Sequence, residues 1–94
     1  MFERTLNRMR GKVRALQYVM TLHAEEEMDG DDLSIFDVEQ AILTGRIIER
    51  QKDAETSEWK YLIKGKSVAS RDVVTVSKLS STGKLIIITV YVEQ

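Results

Sequence analysis

The sequence has no cysteine, so no disulfide or thiolate chemistry is available and nothing in it requires an oxidising compartment. It also has no proline, and its turns must rest on glycine, serine, threonine and aspartate. There is one histidine, hence one side chain suited to moving a proton near neutral pH. No apolar run approaches the ~20 residues needed to span a bilayer, and the charged N-terminus lacks an apolar signal core. A cytoplasmic protein without membrane attachment is the expectation. Glycine-rich phosphate loops, nucleophile elbows and cysteine-based zinc spacings are all missing, which removes the common nucleotide-hydrolase, serine-hydrolase and zinc-finger classes.

What remains is a chain of 94 residues, 43% apolar, with a formal net charge of −1. That length allows a single domain, 1–94, of a size that is only marginally stable alone, so a partner or a homodimer is a natural expectation. The small net charge conceals segregation. Residues 1–24 hold five bases against one acid, residues 25–45 hold eight acids and no base, and residues 46–94 hold nine bases against six acids. The two ends thus offer positive surface around an acidic middle.

The stretch Leu85–Val92 is almost wholly β-branched or aromatic and carries no charge, which predicts a buried strand away from the sheet edge. Ser80–Lys84 before it supplies a turn around Gly83. Period-two alternation sets Thr89 and Tyr91 on one face and Ile86, Ile88, Val90 and Val92 on the other, toward the helices. Upstream, Phe2–Gln17 reads as an amphipathic helix with Leu6, Met9, Val13 and Leu16 as its buried stripe. Its basic face is either a solvated surface or a contact for RNA phosphates or an acidic partner. Tyr18–Thr21 suggests a short strand, and Thr21 can cap a second helix that breaks at Gly30. Ser34 and Asp37 have capping-box spacing, Leu33 and Val38 staple spacing, and Ile35, Val38 and Ile42 form a stripe that Gly45 closes. From there the period is two: strands Arg46–Arg50, Glu58–Lys64 and Asp72–Leu79, then Leu85–Val92. Connections this short join antiparallel neighbours. The expected fold class is α+β, with N-terminal helices packed on a four-stranded antiparallel sheet and a short additional first strand.

His23 falls in the first turn of the second helix, with Glu26 three and Glu27 four residues on, so either carboxylate could lie beside the imidazole and orient it. The plainer reading is a helix-start histidine tied into local hydrogen bonds. No metal site is expected, because one histidine among carboxylates lacks the further ligands that zinc takes, and no cofactor motif appears. On the sheet, Lys60, Lys78, Arg71 and Arg46, with Tyr61 and Tyr91, are either solubilising surface or a cationic, aromatic groove for single-stranded RNA.

Four ordered segments add a resemblance: Tyr18-Val19-Met20-Thr21-Leu22-His23-Ala24, Asp37–Gly45, Lys60–Gly65 and Ile88-Thr89-Val90-Tyr91. Together they resemble the small prokaryotic domain-of-unknown-function 4258 family, grouped with the RelE-like ribonuclease toxins of the barnase/EndoU/colicin/RelE fold. The resemblance covers residues 18–94 as family core and leaves 1–17 as a basic N-terminal helix. It implies a RelE-toxin-like fold and a metal-independent endoribonuclease, or a descendant of one, encoded beside a small DNA-binding antitoxin. The roles it implies are catalytic for His23, Glu27, Lys60, Lys78 and Tyr91, and substrate-binding for Arg46, Tyr61, Arg71 and Thr89. The alternative is a non-catalytic protein-interaction domain that dimerises or binds a partner.

Overall fold

The computed structural model describes residues 1–94, in the order α1 (Glu3–Arg14), β1 (Tyr18–Met20), α2 (Leu22–Gly30), α3 (Ile35–Thr44), β2 (Arg46–Lys52), β3 (Trp59–Lys66), β4 (Asp72–Leu79) and β5 (Leu85–Val92). The α+β class and the element order agree with the sequence reading. No helix is long and apolar enough to cross a membrane.

The sheet differs from expectation in one respect. It has five strands in the order β1-β5-β4-β3-β2, and β1 joins it as a parallel neighbour of β5, making a mixed sheet. The other pairings are antiparallel, as short connections require. The parallel pair arises because β1 and β5 are distant in the chain and no hairpin constrains their direction. β5 is therefore interior where β1 covers it, at Leu85–Ile87, and open beyond.

The three helices cover one face of the sheet. Met9, Val38, Ala41, Ile42, Ile63, Val73, Leu85, Ile87 and Val90 form the solvent-free centre of the core. Two bulges set which side chains reach it. Between β4 and β5 the register shifts at Val76/Ser77, so that Val76 faces Thr89 while Ser77 faces Ile87 and Ile88 is the extra residue. A bulge reverses the alternation. Leu85 and Ile87 before it, and Val90 after it, all point to the helices; the expected helix-facing set Ile86, Ile88, Val90, Val92 is corrected to Leu85, Ile87, Val90 and Val92. A second shift, between Ile47 and Glu49, frees Ile48 in the same way on β2.

Local signals behave as their chemistry dictates, with three corrections. The Ser34–Asp37 capping box is complete, with Asp37 N–H donating to Ser34 Oγ at 3.3 Å and Ser34 N–H donating to Asp37 Oδ2 at 2.9 Å. α1 stops at Arg14, and Leu16 adopts φ 56° and is largely exposed rather than part of the stripe. α2 runs through Gly30, and Asp32 takes the left-handed conformation at φ 58° instead. Gly45 does end α3, but with extended backbone (φ −89°) and not a left-handed cap. Its small size serves close approach: a Cβ there would lie 2.5 Å from both the Ala41 and the Lys64 carbonyl oxygens. Gly65 on β3 does the same from the sheet side, so the end of α3 rests directly on strand backbone. Arg10 locks this junction by donating to the Ile42 and Gly45 carbonyls at the C-terminal end of α3, where a cation complements the helix dipole.

Candidate functional site

α2 is fastened along the open part of β5 by four polar links. Thr21 caps the helix by accepting from Ala24 N–H at 3.1 Å, and its hydroxyl donates to the Ile88 carbonyl at 3.0 Å. Its own N–H donates to the Ile87 carbonyl. Farther on, the Val90 N–H donates to Glu27 Oε1 and the Val92 N–H to Asp31 Oδ2, each at 3.1 Å. The match is geometric. Four residues of helix advance about 6 Å, and two residues of strand advance about 6.6 Å. Glu27 and Asp31 thus meet the alternate N–H groups of β5 that no strand satisfies. An unpaired strand edge invites another chain, and two carboxylates here close it.

His23 joins this arrangement from outside. Its Nε2 stands 3.2 Å from Glu27 Oε1, and the ring is 65% exposed while the carboxylate is 27% exposed. The expected His23–Glu27 pair therefore exists, with one oxygen of Glu27 shared between the imidazole and the backbone of β5. A carboxylate fixed by a backbone donor holds the imidazole at the rim of the sheet, linked through Glu27 to Val90, whose chain neighbours are Thr89 and Tyr91.

Cross-strand register assigns the other candidates to faces, since directly paired residues project to the same side. On the face away from the helices, one row runs Tyr91, Val74, Lys64, Arg46 and the next Thr89, Val76, Leu62, Glu49. Lys60 and Lys78 share this face by strand alternation. Thr89, Tyr91, Arg46, Lys60 and Lys78 are thus brought to one surface. Tyr61 is not: it pairs with Ser77 on the helix side and meets Phe2 edge-to-face at 5.8 Å. Arg71 lies in the β3–β4 turn, where its guanidinium donates to the Asp31 carbonyl at 2.9 Å.

Acids neutralise much of the cationic surface. Lys78 donates to Glu58 at 3.1 Å and Lys66 to Asp72 at 2.6 Å, and Lys64 pairs with Glu93. The Glu93 carboxylate holds the Lys64 ammonium above its ordinary pKa, and the Lys66 bond holds the Asp72 carboxyl below its own. Lys60 and Arg46 have no carboxylate partner within 4.0 Å. A shallow pocket is lined by Thr44, Arg46, Lys64, Gly65, Lys66 and Asp72, with no hydrophobic residue among them. β3 is two strand spacings, about 10 Å, from β5. Lys60 accordingly stands apart from the His23–Glu27 pair.

Sequence reasoning missed the role of Asp31, which lies just past the expected break at Gly30, and the cluster of Phe2, Arg50 and Trp59. The spacing of Glu27 and Asp31 was the available signal for the first; nothing local announces the second.

A family model described as "Domain of unknown function (DUF4258)" matches residues 20–92. No curated protein matches the chain, and no solved structure does.

Proposed function

The chain belongs to the DUF4258 family, and on that premise we propose that it is a RelE-like domain directed at RNA, a metal-independent endoribonuclease toxin or a descendant of one. The observation that carries this reading is the exposed His23 imidazole held 3.2 Å from the Glu27 carboxylate, on the rim of the strand that bears Thr89 and Tyr91. Cleavage of RNA by its own 2′-hydroxyl needs a group to take that proton, a group to return one to the leaving 5′-oxygen, and cations near the phosphate. His23 fits either proton-transfer role, Glu27 orients it, and Tyr91, the residue after the Val90 that Glu27 holds, is the second candidate. On the open face, Lys60 and Arg46 are the cations that no acid occupies.

Expression in bacteria tests the reading. Wild type arrests growth and degrades RNA in vitro in the presence of a chelator, and His23→Ala does neither. Because Glu27 holds Val90 independently of His23, the variant is expected to keep the fold, which a Tm matching wild type would check. A wild type that neither arrests growth nor cuts RNA ends the catalytic reading.

A second reading has its own support. Lys64, Lys66 and Lys78 are spent on Glu93, Asp72 and Glu58, which favours a non-catalytic module that dimerises or binds a partner. Sedimentation that finds a strict monomer with no co-purifying protein counts against it.

A further inference from the structure

Besides Lys60 and Arg46 on the open face, five cations without acidic partners lie on α1 and at the end of the β2–β3 hairpin. No carboxylate lies within 4.0 Å of a side-chain nitrogen of Arg4, Arg8, Lys12, Arg50 or Lys52. Steps of four along α1 set Arg4, Arg8 and Lys12 in one line, beside the stripe buried by Leu6, Met9 and Val13. Arg8 borders two shallow grooves, one shared with Lys12 and Gln17 and the other with Trp59 and Tyr61 of β3 and with Glu58, whose carboxylate is paired to Lys78. The line of positive charge therefore leads from α1 onto the β2–β3 hairpin.

There it meets an aromatic cluster. The Arg50 guanidinium lies 3.9 Å from the centre of the Trp59 ring and 5.6 Å from that of Phe2, and Lys52 Nζ is 5.7 Å from Trp59. Phe2 is braced edge-to-face by Tyr61. Trp59, the chain's one tryptophan, is 41% exposed. An exposed indole with a guanidinium stacked on it gains cation–π energy and leaves flat, cationic surface facing water.

We infer that α1 and the Arg50–Trp59 end of the β2–β3 hairpin form a binding surface for single-stranded RNA. Phosphates lie along Arg4, Arg8 and Lys12, and a base stacks at the Arg50–Trp59 step. Cationic grooves interleaved with aromatic and guanidinium planes are what unpaired strands require, since phosphates supply charge and every base has a face to stack. The surface deepens the RNA-directed reading, on which it rests for the choice of nucleic acid. Its α1 part precedes the family-matched residues 20–92, while Arg50 and Trp59 lie within them.

The test uses full-length His23→Ala protein, so that the probe stays intact, and a fluorescently labelled single-stranded RNA of about twelve nucleotides, titrated by anisotropy at several salt concentrations. Trp59→Ala weakens binding about fivefold or more while Trp59→Phe retains most of it. The double change Arg4→Ala, Arg8→Ala lowers the slope of log affinity against log salt by about 0.7 for each phosphate that the protein no longer neutralises. If Trp59→Ala fails to fold, the exposed arginine pair still decides the matter. Absence of RNA binding at low salt overturns the inference. So does equal binding by Trp59→Ala together with equally tight competition by polyglutamate, which assigns the surface to an acidic protein. Binding without cleavage by the wild type sinks only the catalytic reading; cleavage unaffected by these variants, with RNA affinity unchanged, sinks only this one.

Discussion

Glu27 accepts the backbone N–H of Val90 at 3.1 Å, and through that bond a helix side chain completes the edge of a sheet. The same oxygen faces His23 at 3.2 Å, so the residue that orients the one imidazole also holds α2 to β5. Asp31 repeats the bond two residues along the strand, on Val92. Part of the acidic middle of the chain is therefore structural, although its charge alone reads as a solvated face or a partner surface.

Glu27→Ala leaves the Val90 N–H without its acceptor and costs about 1–3 kcal/mol. Glu27→Gln keeps an acceptor oxygen and costs less. Amide exchange at Val90 and Val92 accelerates in the Glu27→Ala, Asp31→Ala pair, and the bared edge raises the tendency to associate. Denaturant unfolding and light scattering measure the two effects.

Gly65→Ala places a methyl group 2.7 Å from the Ala41 carbonyl carbon and closer still to its oxygen. Both are backbone, so α3 must move off β3. The expected loss is at the upper end of the ~1–3 kcal/mol for overpacking. Gly11→Ala is the contrast: nothing lies within 4 Å of its Cβ position, and helix propensity predicts a gain of up to about 1 kcal/mol. Thermal melting of the two variants should move in opposite directions.

Thr75 is fully buried on β4, and its hydroxyl has no hydrogen-bond partner. Thr75→Val replaces that hydroxyl by a methyl group of similar shape and removes a desolvated, unpaired polar atom. A gain of about 1 kcal/mol is expected, which for a domain of this size raises Tm by roughly 4–8 °C. A fall in Tm would mean that the hydroxyl has a partner after all.

Tyr18 donates to Glu39 Oε2 at 2.5 Å. Burial first, and the Glu39 carboxylate second, push its phenol up to about 12. The folded state holds that proton more tightly than the unfolded chain, whose tyrosine titrates near ~10. Its contribution to stability is thus complete below about pH 10 and is lost as pH rises through about 12. In Tyr18→Phe the decline of stability across that window is shallower, and the ultraviolet difference titration against wild type isolates one phenol with a midpoint near the upper value.

The element order, the Ser34–Asp37 box, the strands Asp72–Leu79 and Leu85–Val92, and the contact between His23 and Glu27 were all legible in the chain. Each depends on residues within a few positions of one another, where the periods of helix and strand and the chemistry of caps act directly. What depends on distant pairing was not legible. The bulge at Ile88 transferred Ile86 away from the core, and it exists only in the pairing of β5 with β4. The parallel docking of β1 follows from no hairpin. Tyr61 went to the helix face and Tyr91 to the other, and alternation within each strand cannot say which way neighbouring strands are turned until the register is set. The strand Leu85–Val92 shows the division most plainly. Its composition made it a strand and kept charge out of it; only the folded chain decided that β1 covers its first half, that Glu27 and Asp31 close its second, and that His23 stands where they meet. Side-chain chemistry fixes what a segment can become, and long-range packing fixes what it faces.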